Sequence, residues 1–169
     1  VLGNHELWNA SQRRWFKPNV NSIIREYKKN VPVQLLENEL FVYYKGKNEY
    51  IIDEKTILKA NPDELTEFIM NSTLVILGGI GFSGLNPIFN ATNGLYRDVL
   101  TPKEDADRTQ RFSAVYDKVL KCAETKRVIV LTHTQMQNWS VKRYNPNWVY
   151  INGHTHQNTL IRSSDGTTV

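Results

Sequence analysis

Cysteine is almost absent from this sequence, which has Cys122 alone. A disulfide framework and a cysteine-rich metal site are therefore both excluded. No apolar run approaches the roughly 20 residues that a membrane span requires, and no signal-peptide pattern is visible. We accordingly expect a reducing compartment, a cytoplasmic location and no membrane partner.

Neither sign of charge dominates the chain. Its net charge is +4, with 22% charged and 40% hydrophobic residues, an ordinary composition for a globular protein. A chain of 169 residues can bury a core of its own, so residues 1–169 are expected to form a single domain. The mild positive charge suits a phosphate-bearing substrate, and it equally suits an ordinary solvated surface.

Apolar runs and helical patterns alternate along the chain. Helices are predicted after the cap-like pair Asn21-Ser22, from Pro62, and over residues 103–126, where apolar side chains recur at helical spacing. This alternation predicts an α/β fold with a mixed sheet or a layered sandwich. The predicted strands cover residues 33–36, 40–44, 50–52, 74–77, 128–131 and 148–151, with a final hairpin beginning at residues 159–162.

Every histidine in the chain stands just past one of these apolar runs. Neutral imidazole is the commonest metal-binding side chain, and open α/β sheets bind their ligands beyond the carboxyl ends of the strands. The pattern therefore predicts a metal site at the strand ends. The four histidines are His5, His133, His154 and His156.

A glycine-rich segment imitates a dinucleotide-binding fingerprint. Gly79, Gly81 and Gly84 follow a predicted strand with the right spacing. A real fingerprint must open a helix whose N-terminus holds the pyrophosphate, whereas Leu85-Asn86-Pro87 follows here. We therefore interpret it as a loop that lets the backbone approach another group closely, and not as a nucleotide site.

Three short motifs resemble the last three of the five motifs of the calcineurin-like metallophosphoesterase superfamily. They are Gly3-Asn4-His5-Glu6, Thr132-His133 and Gly153-His154-Thr155-His156. The resemblance implies a mixed-sheet α/β/β/α sandwich of the metallophosphoesterase type. The family's first two motifs are absent, so we expect a domain truncated at its N-terminal strands, by about 70–90 residues if two βα units are missing. The C-terminus is also expected to be cut.

The resemblance also implies roles for individual residues. Asn4, His133 and His154 would bind one metal, and His156 would bind a second. His5 would be catalytic, contacting the phosphate or the attacking oxygen and helping to protonate the leaving group. The missing motifs would supply the remaining ligands, including a bridging Asp.

Two divalent transition-metal ions are the cofactors that this ligand set implies. Imidazole with amide or carboxylate oxygen suits Mn, Fe, Co, Ni or Zn better than Mg or Ca, and Mn is favoured. Two such ions lower the pKa of a shared water and clamp both oxygens of an in-line displacement.

Substrate contacts are expected from the long segment that follows the glycines. Asn86, Tyr96 and Arg97 could reach a substrate there, and the Arg97 guanidinium could bind a phosphate in a fork. An ordinary exposed arginine is the alternative. Trp139 and Trp148, which flank the later histidine motifs, are predicted to pack in the core.

The leading hypothesis is a hydrolase, a metal-dependent phosphoesterase that uses a metal-activated water on a phosphomonoester or phosphodiester. The alternative is a catalytically incompetent metal-binding fragment or pseudoenzyme that acts as an interaction domain. A nucleic-acid-binding module is a third reading, supported only by Arg13-Arg14-Trp15-Phe16-Lys17. The identity of the phosphate ester and the oligomeric state stay open.

Overall fold

A five-stranded mixed sheet organises the chain. The structure is a computed structural model that describes residues 1–3, 5–7, 19–46, 48–86 and 100–154. The sheet order is β2-β1-β3-β4-β5; β1 pairs antiparallel with β2 and β3, while β3, β4 and β5 run parallel. The predicted α/β class with a mixed sheet is confirmed. Strands β1 to β5 span Glu39–Tyr43, Glu49–Ile52, Leu74–Gly78, Ile129–Thr132 and Val149–Asn152.

The helices begin at side chains that accept hydrogen bonds from the first turn, as helix N-caps do. The cap of α1 is Asn19, two residues before the predicted Asn21. Thr101 and Glu104 form a complete capping box at the start of α4. No helix in the described ranges is long and apolar enough to cross a membrane. Helices α1 to α4 span Val20–Asn30, Glu54–Lys59, Pro62–Met70 and Pro102–Ala123, and a 3₁₀ helix spans Met136–Asn138.

One face of the sheet packs against helices. Alternate strand residues such as Leu40, Leu77 and Val130 join one core cluster with buried residues of α2, α3 and α4. Trp139 and Trp148 are buried in the same cluster, with 0% and 2% of their surface exposed, so their predicted core packing is confirmed.

The opposite face of the sheet is also apolar, yet it is only partly buried. One row of directly paired residues crosses all five strands. Neither core cluster of the described residues includes any member of this row. Strands that are apolar on both faces are typical of sheets that are covered on both sides. The row runs Ile51, Phe41, Ile76, Ile129, Val149.

The predicted strand over residues 33–36 is wrong. This segment has no strand pairing, although Leu35 and Leu36 are buried. Leu36 lies so close to Gly78 that a Cβ on the glycine would be 2.4 Å from the Cβ of Leu36. Leu36 is therefore buried by packing on the end of β3, and Leu35 by packing in the second core cluster, without ladder hydrogen bonds.

Candidate metal centre

The two later histidine motifs meet because β4 and β5 are parallel neighbours. Thr132 pairs with Asn152 at the carboxyl ends of these strands, so the residues that follow leave the sheet side by side. The Gly153 N–H donates to the His133 carbonyl oxygen at 3.1 Å, which extends the pairing one residue beyond the strands. His133 and His154 are thereby brought to the same edge of the sheet.

The rings of His133 and His154 are close enough to share one ligand. His133 Nε2 lies 3.1 Å from His154 Nδ1, and the ring centroids are 5.0 Å apart with the planes at 77°. Both residues are partly buried. His154 has a φ of 68°, in the left-handed region that non-glycine residues rarely adopt. A strained backbone at a functional side chain is a recurrent feature of binding sites.

The backbone of His133 is held by the glycine-rich segment that follows β3. The His133 N–H donates to the Ile80 carbonyl at 3.1 Å, and the Gly79 N–H donates to the Leu131 carbonyl at 3.0 Å. These bonds continue the β3–β4 pairing past the last strand residues. The orientation of His133 therefore depends on the segment that precedes it by about fifty residues in sequence.

The first motif packs directly against His133. A Cβ on Gly3 would lie 2.9 Å from both Nδ1 and Cε1 of the His133 ring, so only glycine fits there without a shift. Leu2 and Leu7 anchor this segment in the second core cluster. The Glu6 carboxylate accepts a hydrogen bond from the Gly3 N–H at 2.8 Å. His5 is exposed, in a helical stretch over residues 5–7.

The remaining predicted residues are distributed as follows. Asn86 is described: its Nδ2 donates to Asn138 Oδ1 at 3.4 Å, which joins it to the connection after β4. The predicted residues that lie outside the described part of the chain are Asn4, Tyr96, Arg97 and His156.

Two residues at this edge were missed by sequence reasoning. Glu37 and Asn38 precede β1, and because β1 is antiparallel to β3 its start lies beside the carboxyl end of β3. Burial raises the pKa of Glu37 to about 7, against the opposing charges of Arg108 and Lys28. Asn38 is buried at a φ of 56°, and its Nδ2 donates to Glu54 at 2.8 Å. The only sequence feature that could have indicated them is the asparagine between two acidic residues, since asparagine tolerates the left-handed backbone of a turn.

Each glycine of the apparent dinucleotide fingerprint has a packing reason. A Cβ on Gly79 would lie 2.5 Å from the Phe112 ring, and a Cβ on Gly84 would lie 2.6 Å from the backbone of Ala106 in α4. Gly81 has a φ of 80° and lies against Trp139. No helix opens within residues 79–86. The segment is therefore a closely packed loop, as expected, and lacks the helix N-terminus that would hold a pyrophosphate.

The separation of the two imidazoles suits both a shared transition metal and a hydrogen bond between the rings. Metal–nitrogen bonds of about 2.0–2.1 Å place two ligand nitrogens roughly 2.8–3.4 Å apart at angles of about 90–109°. The separation of 3.1 Å between His133 Nε2 and His154 Nδ1 falls in that range. Within the described residues, no group of three or more His, Cys, Asp or Glu side chains is placed to hold a metal ion. The predicted further ligands Asn4 and His156 lie outside those residues.

No protein-family model, curated protein or solved structure matches this chain.

Proposed function

We propose that this chain is a metal-dependent phosphoesterase domain of the calcineurin-like type. It would hydrolyse a phosphomonoester or phosphodiester through a metal-activated water. One observation carries the proposal: motifs separated by more than a hundred residues converge at one sheet edge. Gly3 lies against the His133 ring, and His133 Nε2 is 3.1 Å from His154 Nδ1.

The roles proposed for the residues are those that the family resemblance implies. His133 and His154 would hold one metal together with Asn4, and His156 would hold a second; Mn is the favoured metal among Mn, Fe, Co, Ni and Zn. Bound metal would acidify the attacking water and neutralise charge on the phosphoryl oxygens. His5 would donate a proton to the leaving oxygen, for which an exposed imidazole is suitably accessible.

The sandwich architecture belongs to the same proposal. A five-stranded sheet with helices on one face and an apolar, partly buried row on the other is what one half of an α/β/β/α sandwich requires. The row residues Ile76 and Ile129 would then pack against a second sheet.

Substrate recognition is proposed for Asn86, Tyr96 and Arg97. The hydrogen bond between Asn86 and Asn138 supports a position for Asn86 at the histidine edge, since Asn138 lies in the connection that leaves β4. We further propose a cytoplasmic protein that acts on a phosphate ester in solution.

Elemental mass spectrometry tests the metal centre. The chain is loaded with Mn, desalted and compared with His154→Ala and with the control Arg143→Ala, an exposed residue in the β4–β5 connection. We expect Mn to remain bound to the unmodified chain and to Arg143→Ala. His154→Ala should bind Mn at least ~100-fold more weakly, because the loss of a direct ligand exceeds the 10–100-fold effect of an outer-shell partner. Equal Mn retention by His154→Ala would contradict the ligand assignment.

Turnover of a chromogenic phosphodiester and phosphomonoester distinguishes the two functions. Hydrolysis that requires added Mn and is lost in His154→Ala supports the phosphoesterase. Saturable Mn binding without hydrolysis of either ester, by a longer chain that also carries the two absent motifs, supports the alternative, a metal-binding interaction domain.

A further inference from the structure

A second concave site lies at the sheet edge opposite the histidines. It has a volume of about 470 Å³ and is lined by Tyr44, Glu64, Glu67, Phe68 and Asn71. The chain runs from Asn38 at the histidine edge to Tyr44 through β1, a distance of about 20 Å at roughly 3.3 Å per residue. We call this site the aromatic–acidic cavity.

The wall formed by α3 is one continuous stripe. Residues 64, 67, 68 and 71 are spaced i, i+3, i+4 and i+7, so they lie above one another on one side of the helix. Leu65 and Ile69 point to the other side and are buried in the main core. The helix is therefore anchored by its apolar side and presents Glu64 and Glu67 to the cavity.

The aromatic part of the lining is rigid. The Tyr44 and Phe68 rings lie 5.5 Å apart at 71°, in an edge-to-face arrangement. The Tyr50 ring contacts both, at 5.9 Å from Tyr44 and 5.5 Å from Phe68. The Tyr44 hydroxyl donates to the Phe68 carbonyl at 2.5 Å, which ties the end of β1 to α3. A ligand would meet these rings with little loss of side-chain freedom.

The charge of the cavity is opposite to that of the whole chain. The lining residues include Glu64 and Glu67 and no lysine or arginine, whereas the chain has a net charge of +4. Lys126 Nζ lies at the end of α3, where it is bound to the Met70 carbonyl. The ion pairs of the described residues involve neither Glu64 nor Glu67. Two carboxylates beside two aromatic faces are thus available to a positive charge from outside.

We propose that the aromatic–acidic cavity binds an organic cation, a guanidinium or alkylammonium group. Aromatic faces attract such cations through their quadrupole, and carboxylates add charge-assisted hydrogen bonds. The volume fits a group of side-chain size. A bare metal ion would leave the aromatic faces unused. The site is independent of the proposed hydrolysis and would persist if that function were disproved.

Titration of the isotope-labelled chain with argininamide, followed by NMR amide shifts, tests the cavity. We expect saturable shifts at Glu67, Phe68 and Asn71. Nα-acetylcitrullinamide carries neither the guanidinium nor the α-ammonium charge and should bind at least ~5-fold more weakly. Equal binding of the two amides, or shifts that do not saturate, would overturn the proposal.

The double variant E64Q/E67Q tests whether the two cavity carboxylates bind the cation. Both side chains are exposed, so these substitutions leave the core untouched. We expect argininamide to bind the double variant about 5-fold more weakly. Asp63→Asn removes a charge from the same helical turn outside the cavity and should bind as the unmodified chain does. An equal loss of argininamide affinity in Asp63→Asn would mean that only the net charge of the chain matters, and it would overturn the proposed site.

A blocked pentapeptide with one central arginine distinguishes two sources of the cation. Tighter binding of the peptide than of argininamide assigns the cavity to a polypeptide partner. Tighter binding of argininamide assigns it to a small free cation.

Discussion

The two edges of the sheet are built by different means. At the histidine edge, three non-glycine residues among those that the structure describes adopt left-handed backbone angles: Asn38, Phe82 and His154. At the cavity edge, Gly46 in the β1–β2 turn takes the left-handed angle, with no atom within 4 Å of the position of a Cβ. Asn71, the C-cap of α3, also lies at that edge.

This difference shows where tertiary contacts override local preference. Left-handed angles at bulky residues are unfavourable and persist only where surrounding contacts compensate. The Thr134 hydroxyl, for example, donates to the Phe82 carbonyl at 2.6 Å. The left-handed backbone angles near His133 and His154 are consistent with a site whose backbone is kept in an unfavourable conformation by surrounding contacts.

The largest expected effect comes from closing a close approach between a glycine and helix backbone at the histidine edge. In Gly84→Ala the new Cβ would lie 2.6 Å from the backbone of Ala106, which belongs to α4 and cannot rotate away. We expect a loss of about 3 kcal/mol in the free energy of unfolding, measured by urea titration. Gly46→Ala meets no atom within 4 Å and should lose only about 1 kcal/mol, from its φ of 70°. Equal losses of unfolding free energy in Gly84→Ala and Gly46→Ala would contradict the difference between the two edges.

The next effect concerns the hydroxyl that supports Phe82. Thr134 is 1% exposed, so Thr134→Val removes a buried hydrogen bond to the Phe82 carbonyl. We expect a loss of about 1–3 kcal/mol in urea titration. Thr73→Val makes the same chemical change at the cavity edge, where the exposed hydroxyl accepts from the Lys45 N–H at 2.8 Å. At this exposed position water replaces the lost hydrogen bond. A loss of unfolding free energy in Thr73→Val as large as that in Thr134→Val would contradict the difference between the two edges.

A smaller effect is expected from pH at the histidine edge. Burial raises the pKa of Glu37 from 4.5 to about 7, so the folded state binds its proton more tightly than the unfolded chain. The contribution of this carboxyl is full below about pH 4.5 and is lost as the pH rises to about 7.

Unfolding by urea at pH 5 and pH 8 measures this dependence. Glu37→Gln should remove about 1 kcal/mol of the decrease in stability between the two pH values. The exposed Glu124→Gln is the control. An unchanged difference in Glu37→Gln would show that this carboxyl does not titrate in that range.

The smallest effect is expected at the cavity edge. Lys126 Nζ donates to the Met70 carbonyl at 3.2 Å and also to the Ser72 carbonyl, at the end of α3. Lys126→Met should lower the thermal midpoint slightly, by the equivalent of about 0.5–1 kcal/mol, since the bond to the Met70 carbonyl is exposed and the bond to the Ser72 carbonyl is only partly buried. The neighbouring exposed Arg127→Met should leave the midpoint unchanged. A loss of stability in Lys126→Met as large as that in Thr134→Val would mean that the end of α3 is also held by a buried hydrogen bond.

Local signals predicted most of the elements. Apolar runs placed all five strands within one or two residues, and the periodic pattern over residues 103–126 predicted α4. The short helix α2 was missed, because six residues carry too little periodicity to be distinguished from a turn. Residues 33–36 were mistaken for a strand because an apolar segment that only packs its side chains against Gly78 has the same composition as a segment that pairs with a strand.

The candidate site was predictable in its residue types and not in its geometry. The motifs around His133 and His154 predicted strand-end histidines, and the parallel pairing of β4 and β5 brings them together. Glu37 and Asn38 join the same edge only because β1 is antiparallel to β3. No local pattern carries that information.

Short-range patterns in the chain specify the α/β class, the main helices and strands, and the histidines at strand ends, because hydrophobic periodicity and turn residues act over a few neighbours. The strand order, the contact of Gly3 with His133 and the aromatic–acidic cavity arise from long-range packing. These depend on packing between distant segments, where the fit of side chains selects one arrangement among many with the same local pattern.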